Sequence, residues 1–68
     1  MTTDRIEAVL AAHGQPYRVR DMGAGVYAVA GRVVDSPQLR EHLAQALGCA
    51  RVLVSEWAGV CVLVELEH

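Results

Sequence analysis

Polar and apolar positions along this chain follow two periods, and the first stretch has the period of a helix. Its core-facing positions recur at i, i+3, i+4 and i+7: Ile6, Val9, Leu10 and His13. Asp4 begins a capping pattern in which a carboxylate, Glu7, follows three residues later. Gly14 can adopt the left-handed conformation that ends helices, and Pro16 blocks continuation. The pattern predicts a first helix over about residues 4–13.

A second helix is predicted over residues 37–47, where the local signals agree best. The Ser36 hydroxyl can cap free N–H groups, and Pro37 occupies the first helical position, where its missing donor costs nothing. Gly48 is placed to end this helix. The predicted apolar stripe comprises Leu39, Leu43, Ala46 and Leu47.

Alternation with period two predicts four strands, over residues 17–20, 26–34, 51–56 and 60–65. In the first strand Tyr17 and Val19 face inward. The segment 22–25 turns the chain, and 57–59 is the loop of a second hairpin.

The second strand has one row of residues for the core and one for the opposite face. The inward row is Tyr27, Val29, Gly31 and Val33, and the outward row is Val26, Ala28, Ala30 and Arg32. A glycine inside a strand indicates a close approach, which we expect to be that of a helix backbone to Gly31.

These elements predict an α+β fold of order αββαββ, with two helices packed on one face of a three- to four-stranded sheet. A chain of 68 residues is at the small end of what folds alone, and it buries only about 60% of the surface that its unfolded chain would expose. We therefore expect one domain, over residues 1–65. Residues 66–68, Leu-Glu-His, resemble the beginning of a histidine tag and are expected to be a tag remnant.

Composition and charge argue against a nucleic-acid partner. Hydrophobic residues make up 53% of the chain, and six arginines, without lysine, face eight carboxylates for a net charge of −2. A protein that binds a nucleic-acid backbone needs a concentrated patch of basic residues, which this balance of charges does not indicate. The predicted sheet can still place Arg18, Arg20 and Arg32 on one face, as an anion or lipid contact or as an ordinary solvated face. No apolar run approaches the roughly 18 residues that span a bilayer.

The potential metal ligands are too scattered for a typical site. His13, His42, Cys49 and Cys61 lack the close paired spacings of structural zinc sites, so neither a metal nor another cofactor is expected. If residues 56 and 59 face each other, Cys61 lies opposite Val54, roughly 17 Å from Cys49 along the strand. A disulfide requires Cα atoms within about 7 Å, so two free thiols are predicted.

No pattern in the chain indicates catalysis. Ser36 is used as a helix cap, and Ser55 has no neighbouring histidine in sequence to act as a base. The segment 23–25, Gly-Ala-Gly, precedes a strand and not a helix, so it indicates a turn more than a phosphate loop.

Two strands carry more apolar residues than one buried face requires. The segment 60–64 is apolar on both faces, and the outward row of the second strand is small and apolar. Such strands are usually covered on both sides, and two helices can cover only one. A partner surface is therefore predicted on the open face or edge, as an alternative to ordinary surface hydrophobicity. Its candidate residues are Val26, Ala28, Ala30, Trp57, Val60, Val62 and Val64.

The run 25–33, followed by Ser36, Arg40, Gly48 and a valine-rich strand, resembles the BON domain and the related ring-building domains of bacterial secretion machines. The shared pattern is a glycine, an alternating strand with a second glycine, a capped helix and another glycine, over about residues 4–56. The chain departs from it in an extra final strand and in Cys49-Ala50, which replace the usual valine.

The resemblance implies a non-enzymatic interaction module. The tract 29–43 resembles the periplasmic repeats of an inner-membrane ring protein of type III secretion. Such repeats pack side by side, so the implied partners are proteins, including copies of itself. The implied location is a periplasmic domain of an inner-membrane protein, with the cytoplasm as the alternative. Membrane contact would come through a longer parent protein or through weak lipid contact. One alternative function is phospholipid binding by Arg18, Arg20 and Arg32. A third is a small enzyme subunit whose active site another chain completes.

Overall fold

A computed structural model describes residues 2–66 and confirms the α+β fold with the order αββαββ. The elements are α1 Thr2–Ala12, β1 Val19–Gly23, β2 Val26–Val29, α2 Pro37–Leu47, β3 Arg51–Trp57 and β4 Val60–Leu66. The four strands form one antiparallel sheet, and both helices pack on one side of it, here called the inner face. The proposed tag remnant lies outside the described residues except for Leu66, which ends β4 opposite Arg51.

The last strand lies in the middle of the sheet. The strand order is β1-β2-β4-β3, so β4 separates β2 from β3 and pairs antiparallel with both. β2 and β3 therefore run in the same direction, and α2 connects them across β4. The edges of the sheet are β1 on one side and β3 on the other.

The core lies between the helices and the inner face of the sheet. Its five fully buried side chains are Ile6 and Leu10 of α1, Leu39 and Leu43 of α2, and Leu63 of β4. Around them pack Tyr27, Val29, Val33, Ala44 and Val52. The inward row predicted for the second strand is thus confirmed at Tyr27, Val29 and Val33.

Helix α2 begins and ends where the sequence predicts. The amide of Leu39 donates to Ser36 Oγ at 3.1 Å, and Pro37 opens the helix. Gly48 closes it with φ +68, its N–H directed at the carbonyls of Ala44 and Gln45. The predicted stripe was wrong at one position, since Ala44 belongs to the buried core, whereas Ala46, unlike Leu47, is not among the residues that pack against it.

The bounds of the first half differ from the prediction. α1 is already helical at Thr2, so Asp4 lies in the first turn and is not the cap. β1 begins at Val19 and not at residue 17, and it continues to Gly23, so only residues 24 and 25 form the turn. A tertiary contact marks this start, since Glu7 Oε2 accepts from the amide of Val19 at 2.8 Å.

Gly31 makes a close approach, but its neighbour is not the predicted helix backbone. β2 ends at Val29 and not at residue 34, so Gly31 follows the strand. A Cβ atom there would overlap the ring of Tyr17. The chain instead bends at Gly31, and the side-chain amide of Gln15 holds the next segment: its Oε1 accepts from the amide of Val34 at 2.7 Å.

Both hairpins close through the same two residue types. Ala24-Gly25 and Ala58-Gly59 have positive φ at all four residues, which is the conformation of a tight two-residue hairpin turn. The predicted register of the second hairpin was wrong by two residues, because Trp57 pairs with Val60 and Cys61 therefore lies opposite Glu56 and not Val54. Cys49 and Cys61 are both free, as predicted.

Candidate interaction surface

The face of the sheet opposite the helices, here called the outer face, collects most of the predicted interface residues. Cross-strand pairing places Ala28 beside Val62 and Val26 beside Val64 in the two central strands. Val60 pairs with Trp57 at the end of the second hairpin. Ala30 follows β2 and is exposed. The helices lie on the other side, so none of the described elements covers this row.

The outer face contains an apolar depression of about 170 Å³ next to the second hairpin turn. Its wall includes Trp57, 74% exposed, and Val60, 43% exposed. Val62 forms its floor and is only 7% exposed, because its strand neighbours enclose it. A side chain from outside can therefore contact several apolar groups at once.

Two apolar residues of this surface escaped the sequence prediction. Met22 is 55% exposed and lines the depression, although it was assigned to a turn. Leu53 is 44% exposed and pairs with Val64, which extends the apolar row to β3. The signal for Leu53 was present: with Val52 and Val54 facing inward, strand alternation directs Leu53 outward.

The three candidate anion contacts do not form one cluster. Arg18 and Arg20 line a shallow depression together with Ala28, Ala30 and Val60. Arg32 instead lines the neighbouring depression, which also contains Glu56 and Cys61. The structure therefore brings two of the three arginines together and places the third beside a carboxylate.

Charge is distributed unevenly between the two faces of the sheet. Arg20 belongs to the outer row because it pairs with Ala28, and Arg51 belongs to it because it pairs with Leu66. The strand carboxylates pair with inner-row residues: Asp21 with Tyr27, Glu56 with Cys61 and Glu65 with Val52. The strands thus present cations and apolar groups on the outer face.

His13 and His42, which the sequence places on separate helices, meet in the structure. His13 Nε2 and His42 Nδ1 are 2.7 Å apart, and the rings are arranged edge to face. His13 follows the end of α1 and is half-buried, and His42 is exposed on α2. The pair joins the two helices at the surface. In residues 2–66 no group of three or more metal-ligating side chains occurs.

Within residues 2–66, two ionisable groups have shifted pKa values, and both lie on the inner side of the sheet. Burial, with a smaller effect from the Glu65 carboxylate, raises the pKa of Tyr27, whose hydroxyl donates to Glu65 Oε1 at 3.3 Å. Burial, again with Glu65, raises the pKa of the Cys49 thiol. Its Sγ donates to the carbonyl of Arg51 at 3.3 Å. A raised pKa keeps a thiol protonated and lowers its nucleophilicity, so Cys49 is poorly suited to covalent chemistry.

Comparisons with protein-family models, with curated proteins and with solved structures found no match to this chain. No helix within residues 2–66 is long and apolar enough to cross a membrane.

Proposed function

We propose that the protein is a non-catalytic interaction module that binds another protein through the outer face of its sheet. One observation carries this proposal: an apolar row across the sheet, with Trp57 at 74% exposure, lies opposite both helices. Exposed aromatic residues beside apolar neighbours are typical anchors of protein interfaces. Covering this row would remove apolar surface from water at roughly 25 cal/mol per Å².

The assembly in which this module acts is inferred from the BON-like sequence pattern. Ring-building domains of type III secretion pack side by side, and an uncovered sheet face suits such repeated contacts. We propose the same role here, in the periplasmic part of an inner-membrane ring protein. Each contact of one small domain is weak, and many contacts in a closed ring provide stability through multivalency.

Site-specific photo-crosslinking in the native host tests the proposed face. A photoreactive side chain at position 57 is expected to give a defined protein adduct, whereas the same group at Val34, 70% exposed but away from the face, gives none. Adding Val60→Asp is expected to abolish the adduct, because it places a charge in the apolar contact. Equal labelling at both positions, or an adduct that survives Val60→Asp, contradicts the proposal.

A second candidate function is binding of anionic phospholipid. The observation in its favour is that Arg18 and Arg20 line one depression beside Ala28 and Val60 on the outer face. Trp57 is the only tryptophan of the chain and reports on this face directly. A lipid-binding module would shift its fluorescence to the blue with phosphatidylglycerol vesicles, not with phosphatidylcholine vesicles, and would lose the shift at high salt. An unchanged spectrum with both vesicles removes this candidate.

A further inference from the structure

The two edge strands of the sheet, β1 and β3, differ in how well they are protected against pairing with another strand. At the β1 edge the strand has five residues, and its register with β2 shifts between Asp21 and Gly23. Glu7 of α1 also occupies the amide of Val19. Short strands, bulges and side-chain cover are the usual protection against pairing with another chain. This edge is therefore closed to a further strand.

The β3 edge has fewer of these protections, although the Cys49 thiol donates to the carbonyl of Arg51 at the first residue of the strand. β3 has seven residues, pairs with β4 in one unbroken register and contains no proline. β4 is its one neighbour in the described sheet. A long and regular edge of this kind is a template for an added antiparallel strand.

A groove runs along β3 on its inner side. It has a volume of about 440 Å³ and lies between α2 and the first half of β3. α2 contributes Arg40, Glu41 and Ala44 to it, and β3 contributes Val52. A strand added at the β3 edge would direct its inner-face side chain opposite Val52 into this groove, since side chains alternate between the faces.

We propose that β3 pairs antiparallel with β3 of a second copy of this chain, so that two four-stranded sheets become one of eight strands. Residues that pair directly in an antiparallel ladder lie on the same face, and a twofold pairing centred on Val54 satisfies this condition for all seven residues. Val54 then faces Val54 of the second copy. Arg51 faces Trp57 of the other copy, and Val52 faces Glu56.

Charge complementarity favours a second copy in this register. Glu56 is exposed on the inner row of β3, and pairing opposite Val52 brings its carboxylate to the other copy's groove. That groove contains Glu41 and Arg40; the Arg40 guanidinium already forms an exposed ion pair with Asp35 at 3.4 Å, and its remaining N–H groups can donate to a second carboxylate.

On the outer face, Arg51 meets the exposed ring of Trp57, a favourable cation–aromatic arrangement. The twofold axis produces both of these contacts twice, so a single chain supplies both halves of each pair.

The contact is small, so the dimer is weak. A seven-residue ladder is about 23 Å long, and such an interface falls below the size of a standard stable complex. The expected dissociation constant lies at about 10 μM to 1 mM. This dimer uses the open edge of β3, whereas the proposed function uses the outer face of the sheet; the two contacts share Trp57.

A charge exchange across the interface tests the proposal, with sedimentation equilibrium as the measurement. Glu56→Arg and Arg40→Glu each place like charges together and are expected to raise the dissociation constant at least about 10-fold. The double variant Glu56→Arg/Arg40→Glu restores an opposite pair and is expected to return within about threefold of the unmodified protein. Arg40 is half-buried and Glu56 is exposed. Circular dichroism verifies the fold of each variant.

Hydrogen exchange gives a second readout at single residues. Backbone amides on the open edge of β3 are expected to gain protection as the protein concentration rises, while the β1 edge stays unchanged. A protein that remains monomeric at about 1 mM overturns the proposal. So does a dimer that is indifferent to both charge variants but lost with Val60→Asp, because that dimer would use the outer face.

Discussion

The two αββ halves of this protein have the same elements in the same order but are stabilised by different means. The second half, residues 37–66, has a locally capped helix and two seven-residue strands in one regular register. The first half, residues 2–29, has strands of five and four residues and a register shift. The ends of its strands are set by side chains from other elements: the Glu7 carboxylate of α1, for example, accepts from the Val19 amide where β1 begins. Similar topology therefore does not require similar local signals.

Gly31→Ala is expected to give the largest effect, because it attacks a tertiary contact of the first half. The new Cβ would overlap the Tyr17 ring, and such overpacking costs about 1–3 kcal/mol of unfolding free energy. Chemical denaturation measures the loss. In a Tyr17→Ala background the same substitution is expected to cost clearly less, because the obstructing ring is gone. An equal cost in both backgrounds would show that the ring is not the obstacle.

Glu7→Ala is expected to destabilise the protein by about 1–2 kcal/mol. It removes a charge-assisted hydrogen bond to the amide of Val19, where β1 begins. Glu7→Gln is the matched control, since its amide oxygen can still accept, and it should retain much of the stability. Hydrogen exchange should show the loss mainly in β1. A uniform loss over the whole sheet would contradict a local role.

Ser36→Ala is expected to have the smallest effect of the three, about 1 kcal/mol, through loss of the α2 cap. Ser36→Asp retains an acceptor at the cap and serves as the control. Thermal denaturation compares the two variants. If Ser36→Ala and Ser36→Asp melt together below the unmodified protein, the hydroxyl has another role than capping.

Sequence reasoning succeeded where the information is local. Ser36, Pro37 and Gly48 act through their own backbone neighbours, so both ends of α2 and the fold class were predicted correctly. The errors fall where a distant residue decides. β2 ends two residues before Gly31, where the ring of Tyr17 lies against the backbone. Tyr17 belongs to an earlier part of the chain, so no local pattern at residues 30–34 contains that contact.

The candidate surface was predicted in part for the same reason. The alternation in β2 and β4 gave the correct outer row at Val26, Ala28, Val62 and Val64. Met22 was missed because its place in this row depends on the bulge in β1, whereas Leu53 was missed although the alternation of β3 already directs it outward. Likewise, no sequence pattern places His13 against His42, since the packing of the two helices creates that pair.

The central place of β4 has a consequence for how the chain folds during synthesis. Of the four described strands β4 is synthesised last, yet it is the one that joins β2 to β3. Until its residues emerge, the first hairpin has no neighbour on its β2 side and α2 has no complete sheet beneath it. The β3–β4 hairpin, which is local and regular, can form as soon as it is free and then dock against β2. Assembly of the sheet is therefore expected to be a late and cooperative event, with the apolar side chains of the nascent first half exposed until then.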